Sequence, residues 1–272
     1  MKLLSKEQKD RISEVIKEIL TTRLENFPEA TQLIRNAPFH ERFLDAFSDK
    51  LKRVSVPIPY LVAIASWMHG LNTSLGTGFE SLAHILSGGY KRRFTRQFRL
   101  NLKQSQVTVI DEIIRDLKAG NKNPDLERED DLIFQFKRNE PSVEALEFTV
   151  DNFLERETFI EAMELKSVRP NSGEGRGEKQ KILHAKAALK NLYPKKEIRY
   201  FVGFPFDPTS PNPNGYDKQR FFDYLVEFKK FFSSEEVLIA DELWDRLSGI
   251  PNTMQQILDI VSETVDIFKR SH

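Results

Sequence analysis

Two strand-forming runs, at residues 146–154 and 158–168, stand three residues apart, with Glu155-Arg156-Glu157 between them. A polar link that short favours an antiparallel hairpin over any crossover connection. The first run carries Asp151, and the second carries Glu164 and Lys166, giving the order D-x12-E-x-K. Side chains alternate along a strand, so Glu164 and Lys166 share a face while Leu165 points away. The hairpin brings Asp151 alongside them. Two carboxylates and a backbone carbonyl, that of Leu165, are hard oxygen donors of the kind Mg2+ takes. A lysine beside such an ion can orient a bound water and offset charge on a phosphodiester under attack. Taken alone, E-x-K on a strand edge is far more often a pair of solvated charges than a catalytic set.

The neighbouring residues favour the chemical reading. After Lys166 comes a polar loop with Gly173, Gly175 and Gly177, then a lysine-rich helix, then a second strand around 197–206. Strand, strand with E-x-K, helix, strand resembles the core of the PD-(D/E)xK nucleases. The chain departs from that pattern at Val150, where a proline often stands. The fold this implies is α/β (mixed α+β), a core sheet flanked by helices with a helical N-terminal part.

Charge supports a groove for a polyanion only through its distribution, since the 41 basic and 41 acidic residues cancel. Residues 81–110 contain no acid but hold Lys91, Arg92, Arg93, Arg96, Arg99 and Lys103. Residues 166–199 hold ten Lys or Arg against three Glu, while 233–272 hold eight acids against three bases. That asymmetry suits a DNA groove on a neutral body. The chain has no cysteine, which excludes disulfides and thiolate metal sites and points to the cytoplasm. No stretch is apolar for the length of a membrane span, so no membrane partner is expected.

Periodicity predicts helices over 6–35 (bent at Pro28), 40–54, 60–70, 77–86, 91–101 and 107–119. The 77–86 helix has Thr77 as N-cap and Glu80 completing a capping box. Residues 132–137 read as a strand and 207–217 as a proline-rich loop. Helices follow over 218–232, 239–247 and 254–269. The expected organisation is a helical part over 1–125 packed on a nuclease-like core over 126–272, forming one compact unit.

Four segments in one order carry a closer resemblance: PFHERFL, HGLNTSLGTGFESLAHILS, the E-x-K strand with VRPN, and YFVGFPFDPTSPNPNGY. Together they resemble the TdeIII/MjaII-type type II restriction endonucleases over residues 36–224. The resemblance implies a Mg2+-dependent double-strand endonuclease of a restriction–modification system, acting on a short palindrome such as GGNCC. It also implies a companion DNA methyltransferase that acts on the same site without binding this chain. By position, the family's acid–E-x-K motif falls on Asp151, Glu164 and Lys166, and its FE helix on Phe79 and Glu80. Candidate DNA contacts are Lys91, Arg92, Arg93, Arg96, Arg99, Arg169 and Arg176, with Asn171, Asn212 and Asn214 reaching from loops. Arginine reads guanine bidentately, whereas lysine more often neutralises phosphate. One acid–acid–lysine set per chain and a two-fold target imply a homodimer, with the N-terminal helices as its interface.

Other chemistries fit poorly. The five histidines form no zinc-ligand spacing, no nucleophile elbow is present, and the glycines at 173–177 lack the Walker ending. Glu161 with Glu164 is a possible glycosidase pair, but their odd separation puts them on opposite faces. Two alternatives stay open: a structure-specific repair nuclease, and a DNA-binding protein with an inactive motif.

Overall fold

The computed structural model describes residues 2–28, 38–51, 57–98, 100–136, 139–166 and 172–271. Helix α1 (Lys6–Glu25) opens on a reciprocal capping box between Ser5 and Gln8. Helices α2 (Pro38–Asp45) and α3 (Ser48–Leu51) replace the single helix expected over 40–54. Between them the Phe47 amide turns back onto the Leu44 carbonyl.

Helix α4 runs unbroken from Ile58 to Ser87, where two helices and a loop were expected. In its polar middle the hydroxyls of Thr73, Ser74, Thr77 and Ser81 each donate to the carbonyl four residues back, so none of them competes for a backbone amide. Gly70 and Gly78 face α1: a Cβ at Gly78 would lie 2.8 Å from Ile19 Cδ1, and one at Gly70 would strike the Arg23 guanidinium. What reads as a loop is the seam of a helix pair. Thr77 therefore caps nothing, and Glu80 sits mid-helix, so the capping-box reading is corrected.

Strand β1 (Tyr90–Phe94), a 3-10 turn at Arg96–Phe98 and β2 (Asn101–Lys103) occupy the segment read as a helix over 91–101. The strand state is imposed at long range, since Phe94 stacks on Phe148 at 4.7 Å between ring centres. Helix α5 (Gln104–Ala119) ends at Gly120, φ 71°. Helix α6 (Leu126–Phe134) takes residues expected to begin a strand at 132, because Asp125 accepts from the Arg128 amide and starts a helix. Strand β3 (Ser142–Glu144) pairs with β2. Then come β4 (Phe148–Glu155), β5 (Phe159–Leu165), α7 (Ser172–Leu192) and β6 (Glu197–Phe204). Residues 173–177, expected as a loop, lie inside α7. The chain closes with α8 (Lys218–Tyr224), α9 (Val226–Lys229), β7 (Val237–Ile239), α10 (Asp241–Ser248) and α11 (Thr253–Ser271). Ile239, expected to start a helix, instead ends β7, which pairs with Val202–Phe204 of β6.

Among the described residues the main sheet has the order β1-β4-β5-β6-β7. It is antiparallel from β1 to β5 and parallel from β5 to β7. Helix α7 covers the face of Glu164, while α10 covers that of Glu161, whose Oε2 accepts from Arg246 at 2.7 and 3.1 Å. Glu161 and Glu164 thus turn away from each other. Helix α11 packs on α1, with Ile257 and Ile260 buried and Ser13 bonded to Thr264 at 2.9 Å. The mixed α/β sheet with flanking helices is the architecture expected, and β4-β5-α7-β6 gives the core order. No helix among the described residues is long and apolar enough to cross a membrane.

Candidate active site

The site forms where the β-ladder fails. Tyr90 pairs with Phe153 and Arg92 with Val150, so Lys91 alone faces both Asp151 and Asn152. This is a bulge in β4, a device that re-aims a side chain and ends regular pairing. The β4–β5 ladder stops at Asn152–Met163. Beyond it Asp151 Oδ2 accepts from the Leu165 amide at 3.0 Å, a side chain taking the place of a backbone partner. The last turns of α4 clamp the bulge. His84 donates to the Asp151 carbonyl at 2.7 Å, and Ser87 donates to Asn152 Oδ1 at 3.0 Å.

Glu164 lies one residue past the ladder on β5 and is largely buried. Its two oxygens meet different lysines: Lys166 Nζ at 3.2 Å from Oε1 and Lys181 Nζ at 3.0 Å from Oε2. Glu178 closes the ring, 3.4 Å from Lys166 and 2.8 Å from Lys181. Burial first, and then the charge of Asp151, push the Glu164 carboxyl above its ordinary pKa despite both lysines. From the other side Lys91 Nζ reaches Glu80 at 2.7 Å and Asp151 Oδ1 at 3.5 Å. The Glu80 bond, ahead of the cost of burial, holds the Lys91 pKa up. Glu80 on α4 is therefore joined to Asp151 through one ammonium.

The structure sorts the expected DNA contacts. Arg93 borders an open cleft of about 490 Å3 together with Asp151 and Glu164. Arg92 turns to the opposite face, with its guanidinium 4.6 Å from the Phe153 ring and 4.9 Å from that of Phe94. Arg96 is exposed beside Glu147, and Arg176 is exposed on α7. Asn212 accepts from the Gly215 amide in a turn and borders an apolar cavity of about 450 Å3 between α1, α4 and α11. Asn214 bonds Gln255 of α11 at 3.4 Å. Neither asparagine borders the acid cleft. Arg99, Arg169 and Asn171 lie outside the described residues.

Glu178, Lys181 and Tyr200 are the residues that sequence reasoning missed. The first two follow an i,i+3 spacing nearly two turns into α7, on residues next to a glycine run that reads as a loop. Tyr200 pairs in register with Ala162 and so shares the face of Glu164. Its buried hydroxyl has no hydrogen-bond partner among the described residues. Burial, then the charges of Glu164, Asp151 and Glu178, hold this phenol well above the usual tyrosine pKa.

The donor set suits a hard divalent cation. No three His, Asp or Glu groups converge into a closed cage among the described residues. Asp151 and Glu164 instead offer two carboxylates beside an open cleft. An ion that retains waters needs only one or two carboxylates. Burial, and after it the charge of Asp151, raise the Glu164 pKa, and a divalent cation beside the two acids would offset both.

The chain matches a protein-family model described as "Type II restriction endonuclease, HinfI" over residues 4–265. It is 45% identical over 264 residues to the type II restriction enzyme MjaII of Methanocaldococcus jannaschii, a match covering 95% of this chain and 70% of that protein.

Proposed function

The chain belongs to the HinfI family of type II restriction endonucleases, and from that premise we propose that Asp151 and Glu164 hold the Mg2+ on which its DNA cleavage depends. The observation that carries this is the bulge in β4. It takes Asp151 out of the ladder and sets its carboxylate against the Leu165 amide at 3.0 Å, beside Glu164. The Leu165 carbonyl is the third oxygen of the set. A bound Mg2+ supplies Lewis-acid charge and a more acidic water at that point. The protein's own groups do the rest. Lys166, fixed between Glu164 and Glu178, orients the attacking water and carries positive charge toward the phosphate. Glu80 keeps Lys91 against Asp151. Arg93 at the cleft, with Lys91, Arg96 and Arg176 and with Arg99, Arg169 and Asn171, supplies the contacts to duplex DNA; Arg92, Asn212 and Asn214, which face elsewhere, do not.

The further reading is a homodimer that cuts both strands of a short palindrome, GGNCC or a near relative, in the cytoplasm. The host genome is protected by a companion methyltransferase. One acid–acid–lysine set per chain supports the dimer, since one set cuts one strand at a time. Residues 1–125 and 126–272 act as one unit, because β1 from the first part pairs with β4 from the second.

The test is incubation with plasmid DNA and Mg2+, against a chelator control, read on a gel. Discrete fragments are expected, and Asp151→Ala and Glu164→Ala each abolish them while DNA binding persists. Near wild-type cutting by Asp151→Ala sinks the assignment. Nicks on branched DNA without discrete fragments would point to a repair nuclease, and binding without cutting to an inactive motif. Long-lived nicked plasmid with one chain per duplex in sedimentation would defeat the dimer.

A further inference from the structure

The acid cleft holds a cation that the D-x12-E-x-K motif does not contain. Lys181 borders the cleft with Asp151, Glu164 and Arg93. Its side chain is 27% exposed, against 17% for Lys166. Lys166 reaches one oxygen of Glu164 and one of Glu178, and Lys181 reaches the other oxygen of each. The two lysines are thus equivalent partners of the same two acids, and Lys181 is the one open to the cleft.

We propose that Lys181 is a second catalytic cation, donating to a non-bridging oxygen of the scissile phosphodiester while Glu178 holds it and Lys166 in register. The proposal rests on the reading of Asp151 and Glu164 as the metal-binding acids. The charge balance favours it. Glu164, once it ligates a divalent ion, no longer balances both lysines. Lys181 then keeps Glu178 and turns to the cleft, where a non-bridging oxygen of a phosphodiester can take the place of Glu164 as its second anionic partner. No bond is made or broken by Lys181; it stabilises charge that grows on the phosphate oxygens.

The experiment begins by mapping breaks made by the wild-type enzyme in plasmid DNA. A short duplex spanning one break is then the probe. Its affinity is measured against salt concentration with Ca2+ replacing Mg2+, under conditions where no cutting is seen. Single-turnover cleavage is measured with Mg2+. Lys181→Met is expected to lower the slope of log affinity against log salt by about one. It is expected to reduce the cleavage rate by about 10²–10³-fold, and Lys181→Arg should restore both in large part. A purely structural role leaves the salt slope unmoved. Lys181→Gln gives the same readouts should the Met variant fail to fold. An unchanged slope overturns the proposal, whether or not cleavage falls, as does wild-type cleavage by Lys181→Met. Asp151→Ala run in parallel separates the two claims. If it is dead while Lys181→Met is unimpaired, only the role of Lys181 fails; if it cuts, the acid assignment itself fails.

Discussion

Helix α7 presents lysines on two faces, and the same chemistry does different work on each. On one face Lys179 Nζ lies 2.5 Å from both Glu129 and Glu236, and all three are buried. Lys186, also buried, pairs with Asp130. These contacts tie α7 to α6 and to the turn before β7. On the other face Lys181, joined by Lys166 from just past the end of β5, meets Glu164 and Glu178 at the edge of an open cleft. Burial is the main force on Glu129, Asp130 and Glu164 alike, raising each carboxyl. The second cause differs. For Glu129 and Asp130 it is a lysine that opposes burial; for Glu164 it is another acid, Asp151, that adds to it. Ion pairs alone therefore do not mark a functional site. The mark is a pair of acids forced together where water and substrate can reach them.

The sharpest way to break the comparison is to delete one lysine from each face. Lys166→Ala should reduce cleavage by about 10²–10⁴-fold, the usual worth of acid–base or electrostatic groups. Its melting should stay near wild type, because Glu164 and Glu178 keep Lys181. Lys179→Met should do the reverse. It strands two buried carboxylates, and breaking a buried pair costs about 3–5 kcal/mol. The folded fraction should still cut at the wild-type rate per molecule. Chemical denaturation alongside single-turnover cleavage decides. Equal stability losses in the two variants would erase the distinction.

A second test uses pH. A carboxyl whose pKa is raised in the fold binds its proton more tightly folded than unfolded. It favours folding at low pH, and that contribution is lost as pH rises through the folded pKa. Glu164 should therefore cost stability over the range where it becomes able to bind a cation. Relative to Glu164→Gln, the wild type is expected to be more stable in acid and to lose that advantage toward neutrality. Cleavage should rise across the same interval, which lies above the ordinary range for a glutamate. Melting curves of both proteins across pH provide the check. A wild type that gains on Glu164→Gln as pH rises would mean that Lys166 and Lys181 outweigh burial and Asp151.

The hairpin was legible because its signal is local: alternation and spacing put Asp151, Glu164 and Lys166 together, and the structure brings those three to one place. The bulge that frees Asp151 was not legible, since it depends on the register with β1, and β1 itself read as a helix. Lys91-Arg92-Arg93 shows no apolar alternation; pairing with β4 makes it a strand. Val237–Ile239 is too short to read as a strand by itself, and its pairing with β6 makes it one. The middle of α4 was hidden for a related reason, as Gly70 and Gly78 answer to α1 rather than to a turn. Glu178 and Lys181 were hidden by Gly173, Gly175 and Gly177, which argued for a loop where α7 begins at Ser172. At Gly175 a Cβ would sit 3.5 Å from the Phe228 ring, an ordinary contact, so that glycine is not forced by the packing.

The smallest effect expected is at Tyr200, and its sign carries the information. The hydroxyl is enclosed on the same face as Glu164 and has no partner among the described residues. A buried donor left unsatisfied costs about 1–3 kcal/mol, whereas removing it keeps the ring's packing. Tyr200→Phe should thus raise stability, by about 1 kcal/mol, with cleavage unchanged. On the buried face of α7 no such gain is available, because each lysine there already meets a carboxylate. Denaturant titration resolves a change of this size. A loss of stability would instead show the phenol donating to a partner, and Glu164, the acid whose charge bears most on it, would be the first to examine. In that event Tyr200 belongs to the working face of the sheet as a positioning residue, and the variant's affinity for Mg2+, read from its melting shift, should fall with it.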